Sequence, residues 1–285
     1  MKTVHTVAEL RELLAPERRS GRSIGLVPTM GFFHEGHLSL MRRARTENEI
    51  LVVSLFVNPA QFAPGEDFAA YPRDEQRDAE LAAVEGVDLL FSPPVEEVYP
   101  EGFDTTVTVG DLTETLEGDE AQRGAEHFQG VTTVVTKLFN MVGPAVAYFG
   151  QKDAQQALVI RKLVRDLDIP VLIEVCPTIR DADGLALSSR NAYLSPEERE
   201  RALALSRALR GAESAVESGT RDAAAVMAAA REELERAGLE PEYLQLRSAN
   251  DLSPVERVNG STLLAVAARV GRARLIDNAM LGGEK

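Results

Sequence analysis

The sequence predicts an α/β protein: a Rossmann-like, doubly wound parallel sheet followed by a smaller C-terminal α+β domain. Three observations lead there. Short apolar runs alternate with helical patterns up to about residue 175, the texture of successive βα units. Those runs are rich in Val, Ile and Leu with little polar alternation, as strands covered on both faces require. Beyond residue 176 the texture shifts to charged, Ala-rich helices and three strand-like runs. The boundary is therefore expected near residues 176 to 186, with one domain over 1–176 and a smaller one over 177–285.

In chain order, strands are expected at SIGLVPT (23–29), ILVVSLFV (50–57), DLLFS (88–92), AVAYFG (145–150) and IPVLIEV (169–175). Between them HLSLMRRA, RDAELAAVEG, FQGVTTVVTKLFNMV and ALVIRKLVRDL read as helices. In the third of these, Phe128, Val131, Val134, Val135, Leu138, Phe139 and Val142 recur at three and four residues and form one apolar face. In the second domain SPEERERALALSRALRGAESAVESG and TRDAAAVMAAAREELERAG read as helices, the latter with Thr220 as its N-cap. YLQLRS, STLLAVAARV and RARLIDNAML read as strands. No internal repeat is present, and the Ala-rich stretch at 221–230 follows from helix propensity.

Composition narrows the function classes. With 44% hydrophobic and 27% charged residues and no Trp, the chain has the profile of a soluble globular protein. No stretch approaches the roughly 18 apolar residues of a membrane span, and the start, MKTVHTVAELREL, carries charges where an export signal would be apolar. A cytoplasmic protein with no membrane partner is expected. Cys176 is the only cysteine, which excludes an intrachain disulfide and a multi-cysteine metal site; it reads as a core thiol. The formal charge of -14 disfavours a nucleic-acid partner on a diffuse basic surface, but leaves room for a small anion in a locally basic cleft.

Ligands of open parallel sheets bind beyond the carboxyl ends of the strands, so the residues directly after each strand come first. PTMGFFHEGH follows the first run: Gly31 permits close approach of backbone to ligand, and the helix start offers N–H groups to an anion. His34 and His37, three apart, suit a phosphate; no third ligand completes a zinc shell, and HEGH is not HExxH. FGQKDAQQA (149–157) offers Lys152 to a phosphate and Gln156 to the same crevice, while Asp153 is also read as a helix cap. In TIRDADGLALSSRNAYLS (178–195), Ser188, Ser189 and Arg190 make an anion clamp or, more plainly, a turn and a cap. After ILVVSLFV, Gln61 follows a turn fixed by Pro59 and can read a hydroxyl or carboxylate, and Asp74 and Asp78 are candidates near a magnesium ion or simply a solvated helix face. Together these residues describe a phosphate-handling α/β enzyme with a cleft between two domains.

HxGH at a helix start, a distal Lys and a Ser-Ser-Arg loop resemble the nucleotidyltransferase arrangement of cytidylyltransferases and class I aminoacyl-tRNA synthetases. The ordered set PTMGFFHEGHLSL, FVNPAQF, YPRD, EHFQGVTTVVTKLFN, FGQKDAQQ and RDADGLALSSRNAYLS resembles, more closely, the pantothenate synthetase (pantoate–β-alanine ligase) family over nearly the whole chain. The resemblance implies that ATP activates pantoate as a pantoyl adenylate, with release of pyrophosphate, and that β-alanine then displaces AMP. It implies ATP contacts at Met30, Gly31, Phe32, Phe33, His34, Glu35, Gly36 and His37, with His37 as proton donor. Further ATP contacts are implied at Gly150, Gln151, Lys152 and Asp153, at the Ile179 backbone for adenine, and at Leu187, Ser188, Ser189 and Arg190 for the triphosphate. It gives pantoate to Gln61 and Gln156 and β-alanine to Gln61, with the smaller domain closing over the active site.

His34, His37, Lys152 and Arg190 would then stabilise charge on the transferring phosphates, helped by Mg2+, with Asp78 as the candidate ligand. A homodimer is implied as well. The sequence departs from the family pattern at GFF, at Leu187 where Met is common, and at RGAEHFQG, where the roles of Arg123 and Gln129 do not transfer. The rival readings are an adenylyl- or cytidylyltransferase, which would not need the NPxQF and KDxQQ glutamines together, and a noncatalytic nucleotide-binding module.

Overall fold

The computed structural model describes residues 1–283, which pack into two compact units. The first unit comprises Met1–Gly150 and Val159–Pro177. Its elements in chain order are β1 (Lys2–Val4), α1 (Val7–Arg19), β2 (Ile24–Thr29), α2 (Glu35–Glu47), β3 (Ile50–Leu55), α3 (Glu75–Val84), β4 (Leu89–Phe91), α4 (Val95–Val98), α5 (Ala125–Val142), β5 (Val146–Gly150), most of α6 (Ala154–Asp166) and β6 (Leu172–Cys176). The six strands form one parallel sheet in the order β1-β4-β3-β2-β5-β6. From β2 the chain builds outward to β3 and β4, then returns to add β5 and β6 on the other side. The point of reversal lies between β2 and β5, where an open parallel sheet has its ligand crevice.

The two-residue period of a strand explains the unbroken apolar runs. Ile24 and Leu26 of β2 and Ile50 and Val52 of β3 join a core with Leu10 and Leu14 of α1 and Val131, Val135 and Phe139 of α5. Val27, Leu51 and Val53, one residue out of step, join Leu40, Met41 and Ala44 of α2 and Ala82 of α3 in a second core. Both faces are covered, so both sets of alternate positions are mainly apolar, with Ser54 of β3 a buried exception. Cys176 is buried at the end of β6, and that burial pushes its thiol above the ordinary range.

The second unit comprises Gln151–Leu158 and the residues from Thr178 onward. The expected single cut near residue 176 is thus joined by an earlier excursion directly after β5. The unit contains α7 (Pro196–Glu217), α8 (Ala223–Arg236) and an antiparallel sheet β7-β8-β9 (Pro241–Ser248, Thr262–Val270, Ala273–Leu281). Ser195 and Glu198 form a capping box at the start of α7, with Pro196 in the first helical position. Leu205, Leu209, Val226 and Leu234 of the two helices pack with Leu264, Val266 and Leu275 of the sheet.

The helix cap expected at Thr220 lies two residues further on. Asp222 accepts the Ala225 N–H at 2.9 Å, whereas the Thr220 N–H is used by the Ala215 carbonyl at the end of α7, also at 2.9 Å. Thr220 therefore finishes one helix instead of starting the next. Among the described residues no helix is long and apolar enough to cross a membrane.

Candidate active site

The loop after β2 is built on two successive left-handed residues, Gly31 at φ 84° and Phe32 at φ 54°. A Cβ at Gly31 would stand 2.9 Å from the Asp78 carboxylate, so glycine serves both the backbone angle and the close approach. Phe32 has no such freedom; an aromatic L-residue in this region costs roughly 1–2 kcal/mol. The conformation is held from α3. The two oxygens of Asp78 accept the N–H groups of Phe32 and Phe33 at 2.6 and 2.7 Å, and Arg77 donates to the Phe33 carbonyl at 3.0 Å. Asp78 is only 1% exposed. Burial pushes its carboxyl above the ordinary range, and the two backbone N–H groups act against that rise.

This changes what the loop can offer a ligand. The Phe32 and Phe33 N–H groups already serve Asp78. The Phe33 side chain, 1% exposed, belongs to the core with Leu40, Met41 and Val53. Glu35 turns its carboxylate to Arg42 at 2.6 and 2.9 Å, which holds its pKa below the usual range. What points outward is the start of α2 itself, where Glu35 and Gly36 carry the N–H groups that a first helical turn leaves without an intrahelical acceptor. His34 and His37 flank them with ring centroids 4.1 Å apart. The His34 backbone N–H donates to His37 Nδ1 at 3.3 Å, so in the neutral ring the proton sits on Nε2 and makes that nitrogen a donor.

The turn after β3, Pro59–Gln61, is anchored by a different device. Asn58 caps it, accepting the Ala60 N–H at 3.2 Å, and Tyr99 donates its hydroxyl to the same Asn58 oxygen at 2.8 Å. The Asn58 amide donates to Gln61 Oε1 at 3.1 Å, and the Gln61 amide NH2 donates to Met30 Sδ at 3.1 Å. The Gln61 main-chain carbonyl accepts from His127 Nδ1 at 2.8 Å and from Arg123 at 3.1 Å. Arg123 also pairs with Glu66 through two bonds of 2.8 and 2.9 Å. Burial first, and then Arg123, pull the His127 pKa down to about 4, so this ring is neutral and structural. At Gly130 on α5 a Cβ would lie 2.2 Å from the Ala60 carbonyl oxygen, so only glycine lets the turn come this close.

On the second unit, Asn278 of β9 ties down the segment after β5. Its amide donates to the Gln151 and Lys152 carbonyls at 2.9 and 2.8 Å and accepts from the Gln151 side chain at 3.0 Å. Lys152 reaches Asp153 at 3.4 Å, Asp153 stands directly before α6, and Gln156 is half-buried in the first turn. Arg180 makes a bidentate pair with the buried Asp277, at 2.6 and 3.0 Å, within the loop that carries Ile179 and Leu187. The Ile179 carbonyl accepts the Leu187 N–H at 3.0 Å, closing that loop, and the Ser188 hydroxyl caps the turn containing Ser189 and Arg190.

A family model described as pantoate-beta-alanine ligase matches residues 2–280. The chain belongs to that family. Among pantoate-beta-alanine ligase relatives, the pantothenate synthetase of Moorella thermoacetica is 54% identical over 282 residues, covering 99% of each chain. The crystal structure of pantothenate synthetase from Thermus thermophilus has a TM-score of 0.93 at 50% identity, covering 99% of this chain and 100% of that one. The pantoate-beta-alanine ligase from Francisella tularensis, complexed with beta-gamma ATP and beta-alanine, has a TM-score of 0.81 at 33% identity over 98% of this chain and 97% of that one. The family match rests on full-length agreement.

The sequence singles out the histidine pair, Gln61, Lys152 and the serine-arginine loop as candidates; it does not show the groups that hold Gln61, Gln151 and Lys152. Asn58, Arg123 and His127 fix Gln61; Asn278 fixes Gln151 and Lys152. A polar Asp-Asn pair inside the apolar run RLIDNAML was the available signal for the last of these. Asp78, read as a candidate magnesium ligand, has both oxygens engaged by the backbone of the β2 loop. Gln129 donates to Thr108 at 3.1 Å, away from Gln61.

Proposed function

We propose that the protein condenses pantoate with β-alanine at the expense of ATP, through a pantoyl adenylate. The observation that carries this reading is the paired imidazoles at the start of α2, with the Gln61 amide held beside Met30 on the neighbouring loop. In the first step a pantoate carboxylate oxygen attacks the α-phosphorus and the bond to the bridging oxygen of pyrophosphate breaks; no proton is transferred. The work of the protein is to meet charge that builds on the phosphate oxygens with donors already in position. His34, the Nε2–H of His37 and the N–H groups of Glu35 and Gly36 serve that purpose on the first unit. Lys152, Ser188, Ser189 and Arg190 serve it on the second, with Gly150, Gln151, Asp153, Ile179 and Leu187 on the nucleotide. Gln61 and Gln156 take pantoate, and Gln61 also β-alanine.

In the second step the free amine of β-alanine attacks the acyl carbon, the bond to AMP breaks and the amine loses a proton. Orientation and exclusion of water give most of the gain here. ATP enters as its magnesium complex. Its ion would be held chiefly by phosphate oxygens and water, as Mg2+ commonly is in nucleotide sites. The family resemblance extends the proposal to a homodimer in the cytoplasm.

The test is exchange of labelled pyrophosphate into ATP. The reading expects exchange only with pantoate, followed by release of AMP when β-alanine is added. Exchange without the acid would point to a nucleotidyltransferase, and no exchange with pantoate would overturn the proposal.

A further inference from the structure

The ligase reading gives Arg77 no role, Asp78 only a candidate place at magnesium, and Phe32 and Phe33 only general ATP contacts. We propose that Asp78, with Arg77 beside it, is a positioning residue: its carboxylate fixes the left-handed turn at Gly31–Phe32 from which His34 and His37 are presented. The proposal rests on the ligase reading for its substrate and on geometry for the rest.

In a tight turn, successive backbone N–H groups can face one point and form a concavity that binds an anion. Here the anion is internal. Asp78 Oδ2 and Oδ1 take the Phe32 and Phe33 N–H groups across 46 and 45 residues of sequence. Arg77 completes the clamp, with its guanidinium 5.5 Å over the Phe32 ring and bonded to the Phe33 carbonyl. Ring, N–H groups and carbonyl of one short segment are thus all held by two adjacent residues. Packing does not replace them, because Gly31, Phe32 and Asp78 line a cavity of about 350 Å³ together with Met30, Phe56 and Phe68. The next residue in the chain is His34, whose N–H donates to His37 Nδ1. A shift of the turn therefore moves the first imidazole and the bond that sets the tautomer of the second.

An isosteric amide cannot do this work. An amide side chain at position 78 would set its NH2 donor against one of two N–H donors, so Asp78→Asn breaks the clamp with almost no change in volume. Glycine at position 32 adopts φ near +54° without steric cost and should keep the turn when the clamp is lost.

The experiment compares Asp78→Asn, Phe32→Gly and the double variant in pantoate-dependent pyrophosphate exchange. A magnesium titration, thermal unfolding and the 15N shifts of the His37 ring accompany it. Asp78→Asn is expected to lower kcat/KM for ATP by about tenfold or more while the KM for pantoate stays within about twofold. The double variant should recover at least several-fold of that loss, and the His37 ring should return toward the Nε2–H tautomer. A double variant no better than Asp78→Asn, or wild-type kinetics in Asp78→Asn, would overturn the positioning role. So would a loss reversed by excess Mg2+, which would make Asp78 a metal ligand. Should Asp78→Asn fail to fold, Arg77→Ala must show a smaller loss of the same ATP-side kind, and a wild-type kcat/KM for ATP there counts against the clamp. If the wild-type protein shows no pantoate-dependent exchange, the ligase reading fails; the clamp is then judged by the His37 tautomer, which must still shift in Asp78→Asn and return in the double variant.

Discussion

The loop after β2 and the turn after β3 leave neighbouring parallel strands at the same, carboxyl end of the sheet, yet they are held in different ways. The β2 loop hangs on one buried carboxylate and one guanidinium from α3, carries a strained aromatic residue and borders a cavity. The β3 turn is pinned by Asn58, His127 and Arg123 and is pressed against Gly130 of α5. The first depends on two adjacent residues of one helix, Arg77 and Asp78. The second distributes its anchoring over several donors and a backbone contact, so the loss of one partner leaves others.

Substitutions at four positions sharpen that contrast, beginning with the largest effect. His37→Ala should lower adenylation by about 10²-fold, the usual cost of losing one donor to a developing charge. His37→Gln, which keeps a donor, should retain much more activity. Equal losses of the two variants in the exchange assay would count against a donor role for His37. Gly130→Ala forces a Cβ into the Ala60 carbonyl, and at about 1–3 kcal/mol for overpacking the pantoate-side kcat/KM should fall roughly ten- to a hundredfold. A crystal structure of that variant with Gln61 unmoved would contradict the close-approach argument.

His127 supplies a pH signature for the β3 turn. Its folded pKa, about 4, lies below the ordinary value of 6.5, so between those pH values the unfolded chain binds more protons than the folded one. Stability therefore rises with pH across that window, by about 3 kcal/mol as an order of magnitude. Urea denaturation from about pH 4 to 7 should show this slope in the wild-type protein and a flatter one in His127→Gln; parallel slopes would remove His127 as its source. The smallest effect is expected for Arg123→Ala. It leaves the Glu66 carboxylate without its bidentate partner but keeps His127 on Gln61, so stability should fall by about 1–2 kcal/mol and the KM for pantoate should rise only a few-fold. Thermal unfolding and initial rates together would show a larger role if both changes exceed that range.

Five of the six strands of the first unit could be read directly, because burial on both faces leaves runs rich in Val, Ile and Leu; β1 (Lys2–Val4), only three residues long and opening on an exposed Lys, could not. The histidine pair, Gln61 and Lys152 could be picked out as candidates for a related reason: they follow such runs, where an open parallel sheet has its ligand crevice. Their supports were not. Asp78 acts 46 residues from Phe32, and Arg123 acts 62 residues from Gln61, so both read as ordinary charges on a helix or loop until the fold brings them in. Thr220 was misread as a cap because Thr and Asp both qualify, and the choice depends on which N–H the end of α7 has already used. Phe33 could not be told from a ligand-facing aromatic without knowing that the left-handed turn at Phe32 sends it into the core.

The central claim is that the two loops divide the substrates, the β2 loop taking ATP and the β3 turn taking pantoate. The most direct test is the apparent KM for each substrate in the exchange reaction of Gly130→Ala and Asp78→Asn. The account predicts crossed effects: Gly130→Ala raises the KM for pantoate and leaves that for ATP near wild type, while Asp78→Asn impairs use of ATP and leaves pantoate near wild type. Equal impairment toward both substrates in both variants would contradict it.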